Sequence, residues 1–188
     1  ISSTFNLKWR IIDGLTATAQ YNYDGNNYRG SYYARGEVDG YPNLISQTRS
    51  TTETRTQTVR DTFTAHLAFN RTFADKHTVG ATLGYELMSQ RYWYLTSNST
   101  DSASDDVPIL DSGINFKASN KDEKQALMSL FGRVSYDFAQ KYIVSATFRY
   151  DGSSKFAKGN QWGFFPAASA AWVISEEPFF EGVRRTMN

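Results

Sequence analysis

The chain has 188 residues, no cysteine and a formal net charge of +1. Near-neutral charge argues against bulk electrostatic binding to nucleic acid or anionic lipid, and the missing thiols exclude disulfides and thiolate metal sites. With 12 Tyr, 13 Phe and a mean hydropathy of −0.53, the chain is polar on average yet rich in aromatics, and no run approaches the ~18 to 20 apolar residues of a membrane-spanning helix.

Seven strands are expected from period-two alternation, in which successive side chains point to opposite sides. The first spans about 2–11, with Phe5, Leu7, Trp9 and Ile11 on one face and Lys8 and Arg10 on the other. Asp13-Gly14 supplies a tight turn, since glycine accepts the positive φ of a hairpin. The second strand, about 15–23, sets Leu15, Ala17, Ala19, Tyr21 and Tyr23 against Thr16, Thr18, Gln20 and Asn22. A loop rich in Gly, Asn, Tyr and Arg follows from 24 to about 50. The third strand, about 52–73, places Phe63, Ala65, Leu67 and Phe69 opposite Thr62, Thr64, His66 and Asn70. Ala74-Asp75-Lys76 turns into the fourth, about 77–95, where Val79, Ala81, Leu83, Tyr85 and Leu87 oppose Gly80, Thr82, Gly84 and Glu86. A polar loop covers about 96–121. Strands five and six, about 122–138 and 141–150, carry Val134, Tyr136, Val144, Ala146 and Phe148 on one face and Arg133, Ser135, Thr147 and Arg149 on the other. The seventh spans about 161–174, and Glu176 to Phe180 starts a helical turn.

One greasy, aromatic-ended face and one charged face describe a barrel wall with lipid outside and water or a polar plug inside. A secreted β-sandwich shares the composition, and it would bury its apolar face against a second sheet. The connections alternate short, long, short, long, short, medium, as in an outer-membrane barrel with short periplasmic turns and long extracellular loops. The first residues are not a signal peptide, and the last do not end a strand on an aromatic. The chain is therefore expected to be one segment of a larger barrel, unable to fold alone because open sheet edges leave backbone groups unpaired in lipid.

Few residue constellations suggest chemistry. His66 falls on a polar strand face and His77 at a turn, so neither points to catalysis or a metal. Asp101, Asp105, Asp106 and Asp111 share a loop without the spacing of a calcium hand, and a solvated acidic loop outweighs a calcium site. Gly80 and Gly84 leave room on an inward face for something packed there. Arg133, Arg149 and Asp151 oppose the aromatics; facing lipid near mid-bilayer would cost about 2–4 kcal/mol for each arginine and less for the aspartate, so they belong inside, in a structural network ahead of direct solute contact. Tyr28, Tyr32, Tyr33 and Tyr41 stud the second connection beside Asn27, Arg29 and Arg35, and Tyr92, Trp93 and Tyr94 end the fourth strand. Tyr32, Tyr33, Tyr41, Trp93 and Tyr94 are candidates to stack on sugar faces; an interfacial aromatic girdle accounts for Trp93 and Tyr94 better.

Three motifs follow one another in order: Gly132-Arg133, the Arg149 to Phe156 stretch RYDGSSKF, and Trp162 to Pro166, WGFFP. Together they resemble the barrel of SusC-like TonB-dependent outer-membrane transporters, closely over about 126–180 and more weakly upstream. The resemblance implies about seven consecutive strands of a 22-stranded antiparallel transmembrane β-barrel, with the plug domain and remaining strands absent from the chain. It implies active import of a nutrient across the bacterial outer membrane, an oligosaccharide or less often a peptide. TonB would supply energy through the absent plug, and a SusD-like surface lipoprotein would form a lid. No cofactor, metal, nucleic acid or covalent chemistry is implied. A passive porin and a carbohydrate-binding sandwich remain the alternatives. In the RYDGSSKF stretch, Gly152 is expected to permit a turn, with Asp151, Ser153 and Ser154 bonding local N–H groups and Arg149 pairing with Asp151.

Overall fold

The computed structural model describes residues 1–38, 41–45 and 48–180, with side chains left aside at 37–38 and 41–45. Among these residues are nine strands: β1 (Ser2–Ile12), β2 (Leu15–Ala34), β3 (Glu37–Val38), β4 (Tyr41–Ile45), β5 (Ser50–Phe73), β6 (His77–Thr100), β7 (Asn115–Phe138), β8 (Tyr142–Ser153) and β9 (Trp162–Trp172). Seven form one sheet in the order β1-β2-β5-β6-β7-β8-β9, while β3 and β4 pair as a separate hairpin. Chain order equals sheet order apart from that hairpin, which is the up-and-down topology expected. Short 3-10 turns lie at Leu110–Ser112, Ile174–Glu176 and Pro178–Phe180, the last two where a helical turn was expected.

Several strands outrun their expected ends. β2 continues through Asp24-Gly25-Asn26-Asn27 to Ala34, β6 reaches Thr100, and β7 begins at Asn115. The long connections shrink accordingly. Polar residues dominate these extensions, so the alternation that marks a strand weakens while the backbone ladder goes on.

The chain divides into two compact units, one of residues 1–2, 23–60 and 90–124, the other of 3–22, 61–89 and 125 onward. The second unit holds all three short turns, at 13–14, 74–76 and 139–141. Gly14 has φ +82°. Ala74-Asp75 and Ala139-Gln140 adopt positive φ without glycine, as a primed two-residue turn requires, and the Asp137 carboxylate accepts the Gln140 N–H at 2.7 Å.

In the second unit β8 pairs antiparallel with both β7 and β9. Val134 faces Ala146, Tyr136 faces Val144, and Ala168 and Ala170 face Ala146 and Val144 in turn. These residues make one apolar face. Arg133 opposite Thr147 and Ser135 opposite Ser145 belong to the other. The apolar face meets no second sheet: Leu83, Val134 and Val144 stay about half exposed, at 52%, 56% and 49%, and no hydrophobic residue is buried among those described. This arrangement departs from a sandwich, where these side chains form the core. At the turn end, rings run from His77 to Phe138 (5.0 Å), Phe138 to Tyr142 (6.3 Å) and Tyr142 to Trp172 (6.3 Å).

Gly152 corrects one expectation. It lies within β8, paired with Met128 and Trp162, and does not form a turn. The Trp162 ring covers its Cα; a Cβ there would meet the indole at 2.7 Å. Nor does Asp151 bond local N–H groups, since its carboxylate is taken by Arg149. Ser153 does bond a local N–H group, accepting from Lys155 at 3.3 Å, and Ser154 ties the connection to β7: its hydroxyl accepts the Ala126 N–H at 2.8 Å and its N–H donates to the Ala126 carbonyl at 3.0 Å.

Candidate functional site

The polar face of the second unit carries one connected cluster. Arg149 Nε donates to both Asp151 oxygens at 2.8 and 2.9 Å, because residues two apart on a strand share a face. Its Nη2 donates to Ser129 Oγ at 2.9 Å and reaches Glu86 Oε1 at 3.5 Å. Thr64 donates to Glu86 Oε2 at 3.3 Å. Strands β5, β6, β7 and β8 are thus linked through one guanidinium. Phe131 lies beneath it, with its ring 6.0 Å from the Arg149 guanidinium carbon. The space above Gly84 is filled by this same ring, since a Cβ on Gly84 would fall 2.3 Å from Phe131. Ser135 packs on Gly80 in the same way. The room left by the two glycines is therefore occupied by the neighbouring strand. Arg133 shares the face but sits opposite Thr147, outside the cluster. Sequence reasoning passed over Glu86, Ser129 and Phe131. Glu86 was detectable as the acid on the Gly80-Thr82-Gly84 side of its strand.

The first unit contains a clasp. The Tyr33 hydroxyl donates to Asp105 Oδ1 at 2.7 Å, Arg49 Nε lies 3.1 Å from the same oxygen, and the Gly36 N–H donates to it at 3.1 Å. Arg49 and Asp105 side chains are nearly buried, at 12% and 11% exposure. Burial, then the Asp105 hydrogen bond and charge, push the Tyr33 hydroxyl up to about 12. The acidic loop is therefore partly a structural strap. Asp105 is held by a cation, and Asp101 accepts from Asn115 Nδ2 at 2.6 Å. No group of three or more His, Cys, Asp or Glu able to hold a metal occurs among the described residues.

The aromatic candidates separate. Thr54 meets Thr96, and Asn98 donates to Thr52, so even-numbered residues of β5 and β6 share one face here. Odd-numbered Arg55, Gln57 and Trp93 occupy the other, where with Asn27 and Arg29 they line a hollow of about 430 Å3. Tyr94, adjacent to Trp93, points to the opposite side. Tyr32 is 67% exposed and alternates with the clasped Tyr33. Tyr41 supplies backbone to β4, and its side chain lies outside the described residues. Tyr32, Tyr33, Trp93 and Tyr94 thus do not converge on one site.

Known proteins bear on this geometry. The family described as TonB dependent receptor-like, beta-barrel matches residues 1–179. TonB-dependent receptor P39 of Formosa agariphila is 38% identical over 120 residues, covering 61% of this chain and 11% of that protein. TonB-dependent receptor SusC of Bacteroides thetaiotaomicron is 43% identical over 60 residues, covering 32% of this chain and 6% of that protein. Among solved structures, the RagAB peptide transporter superposes with a TM-score of 0.85 at 22% identity, over 96% of this chain and 20% of that chain. The chain therefore spans a fifth or less of these relatives. With a family match along nearly its whole length, it belongs to the TonB-dependent receptor-like β-barrel family.

Proposed function

We propose that this chain is a wall segment of an outer-membrane importer that takes up a nutrient with energy supplied through TonB. The plug domain and the other strands belong to the rest of the protein. The apolar face of Leu83, Tyr85, Val134, Tyr136, Val144 and Phe148 turns to lipid, and the face of Glu86, Ser129, Arg149 and Asp151 turns to the lumen. The family match along residues 1–179 carries this reading. The half-exposed apolar face and the polar cluster opposite support it, since lipid covers the first and water or a plug the second.

The solute is an oligosaccharide in the first reading and a peptide in the second. Similarity to SusC supports a SusC-like importer working beneath a SusD-like surface lipoprotein. The peptide reading is supported by similarity to RagAB, described as a peptide transporter. No catalytic role is proposed. The test is uptake by cells carrying the full-length protein, supplied in turn with labelled oligosaccharides and oligopeptides. Uptake of one class should depend on the protein and stop when the inner-membrane proton gradient is collapsed. Protein-dependent uptake that persists without the gradient would identify a passive porin.

A further inference from the structure

We propose that the hollow in the first unit binds the phosphorylated sugar headgroup of an outer-membrane glycolipid, a site that rests on the outer-membrane reading above. Its volume of about 430 Å3 falls within the range of about 300–1,000 Å3 usual for small-molecule sites. Trp93, half-buried, supplies a flat apolar wall of the kind a sugar ring stacks on. The amides of Asn27 and Gln57 offer donors and acceptors to hydroxyls. Two guanidiniums flank this wall. Arg29 meets Glu53 only at 3.6 Å and remains 65% exposed. Arg55 is exposed and has no ion-pair partner among the described residues. Glu53 is not part of the hollow's lining, which holds no carboxylate. A neutral sugar would leave Arg55 unused, whereas a phosphate oxygen satisfies it with a charge-assisted hydrogen bond.

The choice of a membrane-held ligand over a soluble one follows from strand parity. Trp93 continues the odd-numbered series of β6, Val79, Ala81, Leu83, Tyr85 and Leu87, which the reading above turns to lipid. A solute passing through the lumen meets the even-numbered series.

The test uses the full-length protein in detergent, titrated with monophosphoryl lipid A and, separately, with its dephosphorylated form. Arg55→Gln and Trp93→Ala should each weaken retention of the phosphorylated lipid about tenfold, the worth of one charge-assisted or stacking contact. Arg55→Lys should retain most of the binding. The dephosphorylated lipid should bind the unaltered protein no better than the phosphorylated lipid binds Arg55→Gln. Equal affinity for both lipids, or equal affinity in all variants, overturns the proposal. So does a soluble glucuronate oligosaccharide that displaces the lipid and shows the same dependence on Arg55, since it would assign the hollow to a solute. Heat-modifiable migration on gels confirms that each variant is a folded barrel. Gradient-dependent uptake by cells is read separately. Lipid binding with no such uptake would sink the import reading alone, and uptake with no lipid binding would sink this proposal alone.

Discussion

Tyr33 shows how a single hydroxyl can be tied up by its surroundings. It donates to a carboxylate that also faces Arg49, and partial burial together with the Asp105 bond and charge disfavours a phenolate. In an opened loop the phenol ionises near 10, while in the clasp it does so near 12. The closed form thus binds more protons between those values, so the clasp's stability is complete below pH 10 and declines as pH rises toward 12. Limited proteolysis in the 101–114 loop should accelerate across that window. Tyr33→Phe should remove the step and favour loop opening at neutral pH by about 1.5–3 kcal/mol, the value of a hydrogen bond to a charged group. An unchanged alkaline step in Tyr33→Phe would show that another group controls the loop. Arg149 gives a second case. Asp151→Ala removes its closest partner but leaves Ser129 and Glu86. Because Arg149 is 47% exposed, the loss should be only about 0.5–1.5 kcal/mol. The amount of assembled transporter should fall and solute preference should stay. Normal assembly with lost solute binding would make the cluster part of the transport site.

Between neighbouring strands, register is fixed by aromatic rings lying over glycines. Phe148 covers Gly132 and Trp162 covers Gly152, and each pair sits directly across the ladder. A one-residue slip would turn every side chain to the wrong face and would bring a ring against a Cβ. Gly152→Val should cost about 1–3 kcal/mol by overpacking against Trp162. Adding Trp162→Ala should return much of that loss, because contacting residues are not additive. Additive losses in refolding titrations of the full-length protein would show that the ring does not set the register. The two glycine pairs also mark the limit of what the sequence conveyed. Period-two alternation revealed β1, β5, β8 and the apolar half of β7, because one face of each must be greasy. It failed along 24–34 and 96–100, where both faces are largely polar and a strand looks like a loop, and along 115–121, where Phe116 and Ala118 are too few to mark a face. Arg149 with Asp151 was legible because both lie on one strand two residues apart. Arg49 with Asp105 was not, because nothing local links residues separated by a folded connection. Gly152 was misread as a turn because its partner ring arrives from the next strand.

At the scale of the whole chain, connectivity alone assigns sides. In an up-and-down sheet, alternate connections emerge on the same side. The three short turns at 13–14, 74–76 and 139–141 therefore go together, and the connections 35–49 and 101–114 go together. Backbone bonds agree within each set: the Ala139 N–H donates to the Lys76 carbonyl at 2.6 Å, and the Asp101 N–H donates to the Arg49 carbonyl at 3.0 Å. Outer-membrane barrels keep short turns toward the periplasm and long loops toward the outside. The chain has no cysteine, so single thiols can report each side without background from this segment. Val107→Cys, at a position 48% exposed, should react on intact cells with a maleimide that cannot cross the outer membrane. Asp75→Cys and Gln140→Cys, both exposed at turn tips, should react only after the membrane is permeabilised. Labelling at the turn positions in intact cells, with Val107→Cys protected, would invert the orientation. It would place the Tyr33 clasp and the Trp93 hollow on the periplasmic side, where neither a surface lipoprotein nor an outer-leaflet headgroup can reach them.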